Sequence, residues 1–396
     1  MRFGKIIAAA GLMAFAVPAA PARADDLTLA PPSFPVGNAE LRLDAMAGGA
    51  VFGVDQPGDS ANASGVAKLM PTLKRDYDSG LALSLDGTFT LADPLSRGRY
   101  NGDAVEKLYG EMRTGLGRMQ IGLTDGAGYA LALAGPSADP QIALDDAQTT
   151  FFRDPGTHRA VTDMFTLRTA VGASSNYGKF TYVSPALFGV QLALSFTPSE
   201  GKLLPFEDAG PDVPGRQADI WEAALRYSDD IGPVSLSLYA AAAESRAEHK
   251  LPGQVGVGDL GAGLRADYPV NDDITLSLGT AYRQSNAYAF DINRSYDRAT
   301  TRVMDVSGGV TDGAWSAALE YGNGVAGSVA SLGTNGARLG LNGLEASLGY
   351  ALSPGIQLSA GWQHLNYGRD QGVFYNGAAR LSLDAGFLHL TFHTTN

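Results

Sequence analysis

Most of the chain alternates apolar and polar residues with a period of two. Leu81, Leu83, Leu85 and Phe89 alternate with Ala82, Ser84, Asp86 and Thr88; Val190, Leu192, Leu194 and Phe196 alternate with Gln191, Ala193 and Ser195. The same rhythm runs through Leu41–Ala47, Met119–Leu123, Val234–Leu238, Leu264–Tyr268, Ile274–Leu278, Trp315–Tyr321, Leu344–Tyr350 and Ile356–Trp362. Successive side chains of a strand point to opposite faces, so period two with one polar face predicts a two-sided sheet. The polar face is rich in Ser, Thr, Gln, Arg and Glu, too hydrophilic for a packed interior. That predicts a wide barrel, apolar outside and polar within.

The connections alternate in length. Short turns fall at Gly115–Gly117, Ser184–Gly189, Asp229–Pro233, Asn271–Asp273, Thr311–Gly313 and Ser353–Gly355. Longer polar loops fall at Leu91–Ala104, Pro198–Gly215, Ala247–Gly258, Ser285–Arg298, Asn323–Asn342 and Gly368–Asn376. One short end and one long end is the asymmetry of outer-membrane barrels, and the spacing predicts about 16 strands. Aromatic residues gather at strand ends, namely Tyr77, Tyr109, Tyr182, Tyr227, Tyr239, Tyr268, Tyr282, Tyr321, Tyr350 and Trp362, as interfacial girdles would.

Composition supports the pattern. Gly is 50 of 396 residues, near 13% and above the ordinary ~7%, and no apolar run after Val17 approaches a membrane-spanning helix. There is no Cys, so no disulfide framework holds the chain. The first residues read as a secretory leader: a basic start through Lys5, an apolar stretch Ile6–Val17, and Ala22-Arg23-Ala24 as an A-x-A exit. This predicts a signal peptide at residues 1–24 and a barrel domain at residues 25–396. Loss of Arg2, Lys5 and Arg23 with the leader leaves 26 basic against 41 acidic residues, a net charge of about −15. Such a surface argues against nucleic acid as a partner.

Lys179–Phe196, centred on Ser184-Pro185-Ala186-Leu187-Phe188-Gly189, resembles a hairpin of the general Gram-negative outer-membrane porins, alphaproteobacterial type. Those proteins carry a strand, a turn of the type S/T-P-x-F-x-G, and an alternating strand ending in an aromatic. Gly117–Leu123 is similar to the porin strand that leads into the constriction loop. Strand by strand the resemblance covers roughly Glu40 to Phe392. It implies an all-β, closed antiparallel transmembrane β-barrel in the outer membrane. It further implies a homotrimer and a water-filled channel for passive diffusion of small hydrophilic solutes and ions. Two features depart from the pattern. His393–Asn396 follow Phe392, where porins usually end in Phe, and the rhythm slips phase at Phe387-Leu388, which suggests a bulge or a different strand boundary.

Gly126–Asn176 is the longest stretch without clear alternation. The resemblance implies that this third loop folds inward and narrows the pore. It carries Asp139, Asp145, Asp146, Asp154 and Asp163, and alternation puts Arg42, Lys68, Lys74, Lys107, Arg113, Arg118 and Arg380 on the lumen wall. Acids facing bases would set a transverse field across the opening. Solvated charges on a wet wall are the plainer reading.

Enzyme chemistry has little support. No G-x-S-x-G elbow or P-loop lysine is present, and no cofactor is implied. His389 and His393 share one face of a strand, so a metal pair is one reading, against a solvated strand end as the plainer one. Pro205–Asp212 offers three carboxylates within six residues, a donor set for a hard cation or simply a solvated loop. Two alternatives to passive diffusion stand beside it: a substrate-selective channel with an aromatic track, and a plugged structural or adhesive barrel.

Overall fold

The structure is a computed structural model that describes residues 30–54, 62–92, 105–144, 166–207, 214–288, 291–295, 297, 300–327, 338–370 and 379–394. Its strands are β1 (Ser33–Val36), β2 (Ala39–Val54), β3 (Asn62–Asp76), β4 (Ala82–Ala92), β5 (Val105–Thr114), β6 (Gly117–Leu123), β7 (Gly178–Val183), β8 (Val190–Ser199), β9 (Gln217–Ile231) and β10 (Val234–Ala247). They continue with β11 (Gly258–Pro269), β12 (Ile274–Ser285), β13 (Ala287–Tyr288), β14 (Asp291–Ser295), β15 (Thr301–Asp312), β16 (Trp315–Ala326), β17 (Leu339–Ser353), β18 (Ile356–Arg369) and β19 (Arg380–His393). β2–β12 and β15–β19 pair antiparallel in chain order, and β19 pairs back onto β2, which closes a barrel of 16 strands. β13 and β14 form a separate hairpin, and β1 folds back on the first residues of β2.

The alternation explains which side faces lipid. On β9, Trp221, Ala223 and Leu225 are exposed, whereas Ile220, Glu222 and Ala224 between them are buried. Registers carry that division around the barrel, because cross-strand partners share a face: Ala223 lies beside Leu194 and Ala242, and Glu222 beside Ser195 and Ala243. Leu192, Leu194, Leu260, Leu278, Leu319 and Leu388 all belong to the outward set and are exposed in the isolated chain. A closed barrel has no unpaired edge, so its backbone is satisfied within a membrane and its outer face can be wholly apolar.

Several expectations need correction. The stretch Asn323–Asn342 is shorter as a loop than the polar residues suggest. β16 runs to Ala326 and β17 starts at Leu339, with Asn323 and Asn342 as cross-strand partners whose side chains hydrogen-bond at 2.5 Å. There is no bulge at Phe387-Leu388: β19 keeps unbroken register with β18. The phase slips in the sequence because Leu381, Leu383, Ala385 and Phe387 are inward apolar residues, buried under other parts of the chain. Tyr109 and Tyr239 also have inward parity, and Tyr239 is buried, so neither belongs to an outer girdle. The leader, residues 1–24, lies outside the described residues.

Candidate functional site: an inner-wall segment and the opening beside it

The chain between β6 and β7 leaves the sheet at Thr124 and returns at Gly178. Its described parts, residues 124–144 and 166–177, make their contacts with inward-facing wall residues. One buried carboxylate, Glu222 on β9, accepts hydrogen bonds from the backbone N–H of Gly128 at 3.0 Å and of Ser174 at 2.8 Å. One buried ammonium, Lys179 on β7, donates to the carbonyl of Thr124 at 2.7 Å and to those of Ser174 and Ser175. The two side chains thus fasten the departing and returning ends together. Buried polar groups demand partners, and here the strand side chains and the irregular backbone supply each other's.

Apolar packing holds the segment at two places. Ala127, Leu131, Val171 and Ala173 pack with Val183, Ala193, Ile220, Ala224, Tyr239 and Ala241 of the wall. Ile142, Leu144 and Leu167 pack with Phe52, Leu341, Leu365, Tyr367, Leu383 and Phe387. Close approach depends on inward glycines. A Cβ at Gly261 would sit 2.7 Å from Val171 Cγ2, one at Gly279 2.7 Å from Pro136 Cδ, and one at Gly343 2.6 Å from Leu167 Cδ1. The wall from β11 to β17 is therefore a trench cut to the segment's side chains.

The far part is fastened by side chains of β16, β18 and β19. Asp139 accepts from Ser359, and its Oδ2 lies 2.6 Å from Nδ1 of His389. Gln357 donates to the Ala138 carbonyl at 2.6 Å, Gln363 donates to the Ile142 carbonyl at 2.5 Å, and Glu320 accepts from the Leu144 N–H at 3.0 Å. Burial alone would raise the Asp139 carboxyl, but the hydrogen bonds and charge of His389 and the bond from Ser359 hold it below its ordinary value. His389 is thus a buried anchor and not a solvated strand end, while His393 on the same face is exposed. Among the described residues no group of three or more His, Cys, Asp or Glu is placed to hold a metal.

The expected wall cations divide. Arg42, Lys68, Lys74, Lys107, Arg113 and Arg118 have inward parity on β2, β3, β5 and β6. Arg380 falls on the outward parity, with Gly368, because Leu381 and Leu383 take the inward positions on β19. Five of the inward cations pair with neighbouring carboxylates: Arg42 with Asp44 at 2.6 Å, Lys68 with Glu106 at 2.9 Å, Lys74 with Asp76 at 3.0 Å, Lys107 with Asp125 at 2.6 Å and Arg113 with Glu111 at 2.8 Å. Arg118 lies opposite Arg113 and forms no ion pair among the described residues. Of the expected loop acids, Asp139 meets His389 and Ser359, while Asp145, Asp146, Asp154 and Asp163 lie outside the described residues. In Pro205–Asp212, Glu207 accepts from the N–H groups of Leu203 and Leu204, and Asp208 and Asp212 lie outside the described residues.

The segment covers one side of the lumen more than the other. Among the described residues, every inward residue of β3, β4 and β5 keeps some exposure, although the Glu111 side chain itself is covered, whereas buried inward residues are frequent from β7 to β19. Sequence reasoning missed Glu222, Lys179 and the wall glycines. A lone charge within an alternating strand carries no mark that separates an anchor from a solvated lumen residue.

A closed 16-stranded barrel, apolar outside and charged on an uncovered inner wall, is a transmembrane channel of the outer membrane. The profile of the Gram-negative porin family matches residues 8–371, and the chain belongs to that family. No curated protein matches it in sequence. Its fold is similar to the outer membrane channel DcaP of Acinetobacter baumannii, with 12% identity, 91% of this chain and 99% of that one covered, and a TM-score of 0.57. It is also similar to the trimer form of OmpT, an outer membrane protein of Vibrio cholerae (10% identity, 90% and 99% covered, TM-score 0.54). An anion-selective porin from Comamonas acidovorans matches at 13% identity, 90% and 99% covered, with a TM-score of 0.52. The family and the fold point to a channel and not to an enzyme.

Proposed function

We propose that the channel serves passive diffusion of small hydrophilic solutes and ions, and that its narrowest point lies between the Gly126–Asn176 segment and the wall strands β2–β6. The observation that carries this reading is the uneven covering of the lumen: the inward residues of β3–β5, the Glu111 side chain apart, remain at least partly accessible while the segment is fastened to the other side. A barrel of 16 strands is too wide for its side chains to fill, so what enters it decides the bore. With about −15 on the mature chain and most wall cations already paired, the pore is mildly cation-selective. The chain works as a homotrimer in the lipid bilayer, without catalytic role or cofactor, after removal of residues 1–24.

Single-channel recording tests the assignment. Deletion of residues 139–163 raises conductance, and neutralising Asp145 and Asp146 together shifts selectivity towards anions. Unchanged conductance from a deletion variant that still folds as a barrel would place the constriction elsewhere. N-terminal sequencing of the protein from the outer membrane tests the leader, with Asp25 as the expected first residue.

A further inference from the structure

The short-turn end of the barrel is unevenly charged. Asp76 and Asp78 flank the β3–β4 turn, Asp229 and Asp230 the β9–β10 turn, Asp272 and Asp273 the β11–β12 turn, and Asp312 the β15–β16 turn. Four turns break this rule, Gly37-Asn38, Gly115–Gly117, Ser184–Gly189 and Ser353–Gly355, and the middle two lie side by side. Gly115-Leu116-Gly117 and Ser184–Gly189 contain no charged residue, and they carry Leu116, Leu187 and Phe188, which are 80%, 62% and 99% exposed. Ile231 and Val270 are exposed at other turns, but each sits within three residues of a pair of aspartates; Phe34, Val36 and Leu352 are exposed at the two remaining uncharged turns, less fully than Leu116, Leu187 and Phe188. The two apolar turns are tied into one unit, because Tyr182 on β7 donates its hydroxyl to the Leu116 carbonyl at 2.6 Å.

The backbone at Phe188 is unfavourable for its side chain. Leu187 and Val190 bridge a two-residue turn whose central residues, Phe188 and Gly189, have φ of +52° and +78°. Positive φ at both centres suits Asn-Gly or Gly-Gly, and a bulky residue there is strained. The turn thus holds a large apolar ring in a strained conformation and directs it away from the protein, which has no folding benefit.

We propose that Leu116, Leu187 and Phe188 form an apolar foot that enters the periplasmic leaflet of the membrane and anchors this sector of the barrel, while the acidic turns stay in water. The occupant is lipid because the foot continues the lipid-facing wall. Met119, Tyr182, Leu192 and Leu194 rise from these turns on the outward face, and no charge interrupts them. Short turns are periplasmic in outer-membrane barrels, so the leaflet reached is the inner one. An asymmetric foot sets how deep and how tilted the barrel sits.

The chain contains no Cys, so single labels are specific. Phe188→Cys and, as the aqueous reference, Asp230→Cys are spin-labelled and reconstituted in phosphatidylethanolamine–phosphatidylglycerol vesicles. Leu116→Cys gives an independent second reading should the label at position 188 disturb its turn. Power saturation compares collisions with oxygen, which concentrates in the bilayer, and with a water-soluble nickel chelate. The expected result is a loss of nickel accessibility and a gain of oxygen accessibility at 188 and 116 relative to 230. Nickel accessibility at 188 and 116 equal to that at 230 overturns the proposal. So does dipolar broadening at 188 that disappears on dilution with unlabelled protein, because the foot would then meet a second copy of the chain.

Discussion

His389 on the last barrel strand and Asp139 in the inner-wall segment stand 250 residues apart in sequence and 2.6 Å apart in space. Both are buried, and Ser359 donates to the same carboxylate. The carboxylate also accepts the Gln141 N–H at 3.1 Å, and a buried carboxylate held by several donors is a directional fastener, because removing a donor takes away part of the compensation for its burial. This contact pins the segment next to the seam where β19 meets β2, so the closing strand holds both the barrel and its contents.

Asp139→Asn should weaken that fastening by about 1.5–3 kcal/mol, the usual worth of hydrogen bonds to a charged group. Since the carboxyl lies below its ordinary value in the folded protein, its stabilising contribution is full at neutral pH. It is lost as pH falls from the ordinary carboxylate value, near 4, through the lower folded one. Open-channel current noise, read from pH 7 downwards, should therefore rise in the native chain over that acid range. The Asn variant should be noisier already at pH 7, and the difference between the two chains should shrink on acidification. A constant difference at all pH values would show that the charge of Asp139 is not what holds the segment.

The barrel was legible in the sequence because lipid favours it: most outward positions, such as Leu192, Leu194, Leu260, Leu278, Leu319 and Leu388, are apolar, and only closure satisfies the backbone. The interior was much less legible. Inward residues obey two masters, water on the open side and the segment on the covered side. Leu381, Leu383 and Phe387 are apolar because they meet the segment, and their periodicity put Arg380 on the wrong face. His389 read as a solvated strand end because nothing near it in sequence reports Asp139. The glycines at 261, 279 and 343 looked like compositional excess until the side chains they admit were seen beside them.

Gly343→Val tests the trench. Its Cβ would fall 2.6 Å from Leu167 Cδ1 and 2.7 Å from Leu144 Cδ1, which is closer than real contacts allow. Overpacking of this kind destabilises by about 1–3 kcal/mol and is relieved by displacing the smaller body. The segment should shift into the lumen and single-channel conductance should drop. Adding Leu167→Ala should restore part of it; an equal drop in the double variant would mean that the steric route is wrong.

Lys179→Met removes the donor shared by the carbonyls of Thr124, Ser174 and Ser175. Met keeps the apolar length of the side chain, so the change isolates the hydrogen bonds. Each buried acceptor left unpaired is worth about 1–3 kcal/mol, and water entering the site offsets part of that. Protease cleavage within residues 124–177 should become faster in the variant while the strands remain protected. Equal cleavage rates in both chains would show that Lys179 does not fasten the segment.

The final prediction concerns ion preference. Lys107 on β5 lies 2.6 Å from Asp125, both half-buried, at the point where the chain leaves the wall. A paired cation presents little net field to a passing ion, whereas an unpaired carboxylate on a narrow wall attracts cations strongly, since screening by water is reduced there. Lys107→Gln keeps a hydrogen-bond donor near Asp125 but removes the positive charge. The reversal potential in a salt gradient should then move towards cation selectivity. Asp125→Asn, which leaves Lys107 uncompensated, should move it the opposite way, and the double variant should lie near the native value. Opposite shifts of this kind require that the pair borders the ion path. If neither single variant moves the reversal potential while conductance is retained, ions pass elsewhere and the opening does not run along β5.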